Sequence, residues 1–167
     1  GGIEDVFAKA GARGYVEDME MENAKAKAGQ LRAEGMQAEA FGLDVTKREE
    51  IDALVDRMVK ENGKNDHLIN CAGISYNKPY MESTDDEFRS ILEVNLISVH
   101  NCCQAVLRQM IPRKEGKIVN ILSASSRMGS DFFAHYSSSK FGPVSYTHLR
   151  AHETPEHLVC RLLLEKK

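Results

Sequence analysis

A tyrosine and a lysine lie four residues apart at Tyr136 and Lys140. Residues i and i+4 share one face of a helix, so a helix here would place the phenol beside the ammonium. A free tyrosine has a pKa near 10, too high to exchange protons readily at neutral pH. A cation about 4 Å away contributes on the order of 4 kcal/mol at an effective dielectric near 20, enough to bring a tyrosine into working range as a general acid/base. The same spacing also occurs on exposed helices that have no catalytic role.

Ser123 is the second candidate. It ends a mostly apolar run over residues 117–123 and precedes Tyr136 by 13 residues. Consecutive apolar residues are typical of a strand covered on both faces, as in parallel sheets. Ligands of open α/β sheets bind at the carboxyl ends of the strands, so Ser123 would face that crevice. The serine-rich stretch 123–126 also allows Ser123 to be only a turn residue.

Asn95 is the third candidate, because it interrupts the apolar face of a predicted long helix. A buried amide must find hydrogen-bond partners or cost about 1–3 kcal/mol. A core asparagine that bonds a neighbouring backbone and an asparagine with a functional role both fit this position. The apolar face consists of Phe88, Ile91, Leu92, Val99, Cys102, Val106 and Met110.

Helical and strand patterns alternate between residues 20 and 123, which predicts βαβ units and a doubly wound parallel sheet. A helical stripe begins at Met21, and Gly35 is placed to end that helix. The long helix is expected to end before Pro112. Capping boxes, which mark helix starts, are predicted at Thr46 with Glu49 and at Thr84 with Glu87. Strands are predicted over 38–45, 68–73 and 117–123.

Together these residues resemble the short-chain dehydrogenase/reductase family. The resemblance rests on Asn70-Cys71-Ala72-Gly73, Asn95, Ser123, Tyr136 and Lys140 in this order and spacing, and covers about residues 1–143. It implies an α/β, Rossmann-type, doubly wound parallel sheet that binds a dinucleotide. Cys71 replaces the second asparagine of the family's Asn-Asn-Ala-Gly pattern, and Leu122 stands where the family often has a first serine.

The resemblance also implies a role for each member of a catalytic tetrad. Tyr136 would be the acid/base, and Ser123 would hold the substrate oxygen. Lys140 would lower the pKa of Tyr136 and bind the nicotinamide ribose. Asn95 would anchor a water of the proton relay. In the cofactor site, Asn70, Ala72 and Gly73 would form the wall beside the dinucleotide, and Asp44 and Val45 would lie near the adenine.

Asp18 indicates which cofactor is used. Residues 7–12 look like the end of the family's first helix, so residues 13–17 should be its second strand and Asp18 should end it. An acidic residue there can hydrogen-bond both ribose hydroxyls and would repel a 2′-phosphate. No arginine follows within the next few residues. The sequence therefore favours NAD(H) over NADP(H).

The two ends of the chain depart from the family pattern. By family spacing, the glycine-rich phosphate loop and the first, central strand would precede Gly1, and further strands would follow residue 143. We therefore expect a truncated fold, with 1–143 a partial dinucleotide-binding domain. Residues 144–167 resemble a translated sequencing-library adapter, and we expect a non-native tail there. Three of the six histidines fall in this tail: His148, His152 and His157. Histidines four residues apart can share a metal-binding face of a helix, but we expect no metal site in a non-native segment.

Composition excludes several classes of protein. The 22 basic and 25 acidic residues give a net charge of −3, which argues against nucleic-acid binding. There is no run of 18 apolar residues that would cross a membrane. The four cysteines form no CxxC pair, which favours thiols in a reducing compartment and a cytoplasmic location.

The resemblance, together with Asp18, implies an NAD(H)-dependent oxidoreductase that interconverts an alcohol and a carbonyl in a small molecule. A sugar or polyol dehydrogenase and a 3-oxoacyl-thioester reductase are both open, and the parent protein is expected to be a homo-oligomer. A Rossmann dinucleotide sensor without turnover is an alternative, although it would not need a proton relay. The literal chain could also be an inactive chimeric sequencing product.

Overall fold

A computed structural model describes residues 2–126, 132–151 and 158–165. The chain divides into two units, residues 1–50 and residues 51–167. Within the described residues, no helix is long and apolar enough to cross a membrane.

The first unit is a parallel βαβ arrangement preceded by a short helix. Strands β1 and β2 pair in parallel, with Asp18 opposite Gly42 at their carboxyl ends. Helix α2 packs its buried stripe on them, and the predicted Gly35 follows the helix with a φ of +83°. The elements are α1 (Ile3–Lys9), β1 (Gly14–Asp18), α2 (Met21–Ala33) and β2 (Ala38–Gly42). The core residues are Ala8, Val16, Ala24, Ala28, Leu31 and Ala38.

The second unit is built on a three-stranded parallel sheet of order β3-β4-β5. The strands are β3 (His67–Asn70), β4 (Gly116–Ser123) and β5 (Leu158–Glu165). The helices are α3 (Arg48–Asn62), whose first residues belong to the other unit, α4 (Asp85–Leu92), α5 (Ser98–Arg113) and α6 (Ala134–Phe141). Central strand β4 is buried almost throughout, as its apolar sequence predicts. Strand β5 lies within the segment expected to be non-native.

Three local predictions were wrong. Helix α3 begins at Arg48, and the box at Thr46 does not form because the Thr46 amide donates to Asp44 Oδ1 at 2.9 Å instead of to Glu49. The long helix does not end before Pro112 but runs to Arg113, so the proline occupies its last turn without an amide to donate; Lys114, at a φ of 56°, ends it. Strands β2 and β3 are shorter than predicted and end at Gly42 and Asn70.

Candidate active site

Asn95 fixes the loop that follows β3. Its side chain is 1% exposed and pairs with both backbone groups of Ile74. The Ile74 amide donates to Asn95 Oδ1 at 2.8 Å, and Asn95 Nδ2 donates to the Ile74 carbonyl at 2.9 Å. The second Nδ2 hydrogen goes to Ser139 Oγ at 2.9 Å. Both amide hydrogens are therefore used, and a relay water would have to bind the remaining Oδ1 lone pair or the backbone.

A π-turn between α4 and α5 sets the direction of Asn95. The five residues Glu93–Ile97 form this turn, with Asn95 at its centre. The Ser98 amide donates to Glu93 O, five residues back, instead of to Val94 O. The Ser98 hydroxyl satisfies the Val94 carbonyl in its place. Such turns are rare and often occur at functional sites, because they re-aim the side chains they carry.

Tyr136 and Lys140 lie on α6 as the spacing predicts. Lys140 is only 6% exposed, and its Nζ lies 5.9 Å from the centre of the Tyr136 ring. The same Nζ donates to the Ile121 carbonyl on β4 at 3.4 Å. The helix therefore places the buried ammonium beside the phenol ring, as the i, i+4 spacing requires.

Gly73 lies against this ammonium. A Cβ at Gly73 would be 3.0 Å from Lys140 Nζ and 3.3 Å from Asn95 Oδ1. A larger residue would have to displace one of the two polar groups. The glycine therefore lets the loop approach Asn95 and Lys140 closely. The family resemblance implies that this glycine is part of the wall beside the dinucleotide.

Ser139 is a site residue that sequence reasoning missed. Its hydroxyl is fully buried, accepts from Asn95, and donates to the Tyr136 carbonyl at 2.7 Å. It thus links the π-turn to the backbone of the residue predicted to be the acid/base. The available signal was a serine directly before Lys140, but Asn95 is 44 residues away in sequence.

Ser123 ends β4 as predicted and is buried. Its Oγ accepts from the Ser125 amide at 3.2 Å, which is the turn role that the serine-rich stretch allowed. Helix α6 packs against β4 and the following 3₁₀ turn, Ala124–Ser126. On the same strand, Ser123 lies two residues after Ile121, whose carbonyl accepts from Lys140.

Asn70 connects two strands. Its Nδ2 donates to Asn120 Oδ1 on β4 at 2.8 Å, and the two residues are opposite each other in the parallel register. Nδ2 also lies 3.6 Å from Cys103 Sγ. Ala72 and Gly73 follow in the exposed part of the loop. The asparagine thus fixes the start of the loop, and the two small residues form its open surface.

Asp18, Asp44 and Val45 belong to the first unit, and the tetrad belongs to the second. Asp18 ends β1 and accepts from the Glu20 amide at 2.8 Å. Hydrogen bonds from the Thr46 hydroxyl and then the Thr46 amide hold the pKa of Asp44 below its usual value. Val45 begins the turn before α3.

Within the described residues, no group of three or more histidine, cysteine or acidic residues could hold a metal ion. Cys71, Cys102 and Cys103 form no disulfide with one another. The side chains of Cys160, His148, His152 and His157 lie outside the described part of the chain.

Comparison with known proteins places this geometry in context. The family model for short chain dehydrogenases matches residues 2–160. The chain is 39% identical over 134 residues to 5-keto-D-gluconate 5-reductase of Escherichia coli K12, covering 80% of the chain and 53% of the relative. It is 33% identical over 147 residues to the 3-oxoacyl-[acyl-carrier-protein] reductase FabG of Chlamydia muridarum, covering 87% and 59%.

A solved structure gives the same result. A gluconate 5-dehydrogenase from Burkholderia cenocepacia J2315, in complex with NADP and tartrate, superposes with a TM-score of 0.84 at 30% identity. The match covers 98% of this chain and 66% of that one. The α/β Rossmann-type fold expected from the sequence is thereby confirmed. The chain spans about half the length of the curated relatives it matches.

Proposed function

The chain belongs to the short-chain dehydrogenase family, and from that premise we propose that its parent protein is an oxidoreductase that interconverts an alcohol and a carbonyl by hydride transfer. By parent protein we mean the natural gene product, in which we propose that residues 2–143 are the native part of this chain. One observation carries the proposal: the buried Lys140 ammonium lies beside the Tyr136 ring and against Gly73. Buried charged groups are common at functional sites, whereas a solvated surface lysine would give no such indication.

Each residue of this site has a defined task in carbonyl reduction. Tyr136 donates its phenolic proton to the carbonyl oxygen as the carbonyl carbon is reduced. Lys140 stabilises the phenolate that Tyr136 becomes. Ser123 hydrogen-bonds the same substrate oxygen and orients it. Asn95 keeps the loop and α6 in place and holds the relay water through its free lone pair or its backbone.

The residues present fit the nicotinamide end of a dinucleotide. Gly73 brings the loop backbone close to an ammonium that can bond ribose hydroxyls. Asn70 and Ala72 complete this wall, and Asp44 and Val45 would contact the adenine. When bound, the dinucleotide supplies or accepts the hydride.

We propose NAD(H) as the preferred cofactor, because Asp18 offers a carboxylate at the end of β1. A carboxylate there accepts hydrogen bonds from ribose hydroxyls and repels a 2′-phosphate. The B. cenocepacia neighbour was solved with NADP, so the preference must be measured. We further propose a homo-oligomer acting on a small molecule in the cytoplasm.

For the substrate, we propose a keto-sugar acid or related polyol before a 3-oxoacyl thioester. The support is the greater identity to the 5-keto-D-gluconate 5-reductase, 39% against 33% for the FabG protein. Both substrates present a ketone that one hydride and one proton convert to a secondary alcohol, so the same four residues serve either.

An isotope-transfer assay tests the proposal. The parent protein is incubated with 4-deuterated NADH or NADPH and, separately, with 5-keto-D-gluconate and a 3-oxoacyl thioester. We expect deuterium on the new carbinol carbon of the keto acid, faster with NADH. Transfer to the thioester alone would reject the substrate class. Cofactor binding without transfer to any ketone of the panel would favour the sensor alternative and reject the function.

A further inference from the structure

Helix α6 carries two adjacent stripes, each with residues four apart. Tyr136 and Lys140 form one stripe, and His135 and Ser139 form the other. The second stripe is buried, with His135 at 3% exposure and Ser139 at 0%. Ser139 is bonded to Asn95, so this stripe faces the loop between β3 and α4.

The loop is fixed at two points, one on each side of Ser75. Asn95 pairs with the backbone of Ile74, as described above. His135 Nε2 lies 3.0 Å from the Tyr76 carbonyl oxygen, and the His135 and Tyr76 rings are 6.5 Å apart. The first contact reaches α6 through Ser139, and the second reaches it directly, one residue before Tyr136.

The Tyr76 contact defines which ring nitrogen of His135 donates. A carbonyl oxygen can only accept, so Nε2 carries a hydrogen and donates it. Nδ1 is buried and has no hydrogen-bond partner among the described residues. The Nε2–H group is therefore the hydrogen bond by which this ring holds the loop.

We propose that His135 is a positioning residue, whose Nε2–H holds the Tyr76 carbonyl and the loop against the first turn of α6 and thereby sets the direction of the Tyr136 side chain. The inference rests on the proposed function, because it assigns a role toward the acid/base. Without this hydrogen bond, only the Asn95–Ile74 contact of the two would hold the loop, and the first turn of α6 would lose its direct contact with the loop. Small displacements of reacting groups reduce catalysis strongly.

Two substitutions in the parent protein separate a hydrogen-bonding role from space filling. His135→Gln keeps an amide donor near the position of Nε2, whereas His135→Leu keeps apolar volume and removes the donor. We expect His135→Leu to reduce kcat on the order of tenfold, with little change in KM or NADH affinity. His135→Gln should restore most of the loss. Ser138→Ala, on the exposed side of the same helix, is the matched control and should retain parental kcat.

Equal kcat in the Leu and Gln variants would overturn the inference, as would losses that only follow a fall in melting temperature. Tyr136→Phe is measured in the same series. If that variant keeps its turnover, the proposed function fails; if it loses turnover while His135→Leu does not, only the role of His135 fails.

A second measurement needs no variant and no activity. Nitrogen-15 NMR of the His135 ring in the parent protein should show a hydrogen on Nε2. A ring with its hydrogen on Nδ1 alone would contradict the hydrogen bond to Tyr76, because Nε2 would then have nothing to donate. This readout tests the hydrogen bond on which the inference rests even if His135→Leu does not fold.

Discussion

The Asp18 carboxylate is held by its own chain segment. Its Oδ1 accepts from the Glu20 amide and, more weakly at 3.5 Å, from Asn23 Nδ2. These bonds occupy one carboxylate oxygen and help to orient the group at the end of β1. A fixed negative charge at this position discriminates between a ribose hydroxyl and a phosphate more sharply than a mobile one, because no rotation relieves the repulsion.

Asp18→Ala in the parent protein should therefore narrow the preference for NAD over NADP. Two charges about 4 Å apart in a water-like medium repel by about 1 kcal/mol, so the ratio of kcat/KM values should change roughly fivefold. Glu22→Ala removes a surface carboxylate of the same segment, paired with Lys25, and serves as the control. An unchanged ratio in Asp18→Ala would mean that β1 does not supply the ribose contact.

Local spacing predicts site residues well when the contact is within one element. Tyr136 and Lys140 share a helical face as their separation requires, and Asn95 is buried as its apolar neighbours indicate. The partners of Asn95 could not be predicted, because Ile74 and Ser139 lie 21 and 44 residues away. Its amide bonds the Ile74 backbone, as the first interpretation of Asn95 has it, and the functional role stays a prediction.

At the scale of elements, a charged pair ties the loop after β3 to the start of α4. Lys78 Nζ lies 2.7 and 2.8 Å from the two Glu87 carboxylate oxygens and also donates to the Glu82 carbonyl. Glu87 is at the same time the reciprocal partner of the Thr84 capping box. The site loop thus ends in a helix start that depends on an ionised carboxylate.

This pair should make stability depend on acid pH. The Lys78 ammonium, followed by the Thr84 amide, lowers the pKa of Glu87 from 4.5 to about 2. Because the folded pKa is lower than the unfolded one, the stabilisation is complete above pH 4.5 and is lost as the pH falls towards 2. Glu87→Gln should flatten the slope of unfolding free energy between these limits, measured by urea titration. Asp86→Asn, exposed in the same turn, should keep the parental slope; a parental slope in Glu87→Gln would refute the assignment.

The two predicted capping boxes show what sequence can and cannot supply. The box at Thr84 forms as predicted. The box at Thr46 does not form, because the Thr46 amide, which Glu49 would accept from, donates to Asp44 two residues earlier. Short polar side chains offer such local alternatives to a helix start. Helix and strand identities were otherwise correct, and most errors were at element ends.

At the scale of the whole molecule, the parallel pairing of β1 with β2 and of β3 with β4 follows from the alternation of elements in the sequence. The strand order could not be obtained that way. The described strands form two separate sheets, of two and three strands. A two-stranded sheet depends on its covering helix for stability, because two strands alone are marginal in water.

The 167-residue chain by itself should not bind NAD(H). Binding a pyrophosphate requires backbone amides at a helix start, approached through a G-x-G-x-x-G type of loop, and the 167 residues contain no such pattern. Calorimetric titration with NADH, beside a thermal melt, checks this. Micromolar binding together with a cooperative melt would show that the phosphates are held in another way.

The kinetic effect of Tyr136→Phe in the parent protein tests the central claim most directly. Phenylalanine keeps the ring beside Lys140 and removes only the proton that the carbonyl oxygen receives. General acid/base assistance is worth about 10²–10⁴-fold, so single-turnover NADH oxidation should slow by that factor while the NADH dissociation constant stays nearly unchanged. A variant that retains more than half of the parental rate would remove Tyr136 from the role of proton donor and contradict the account.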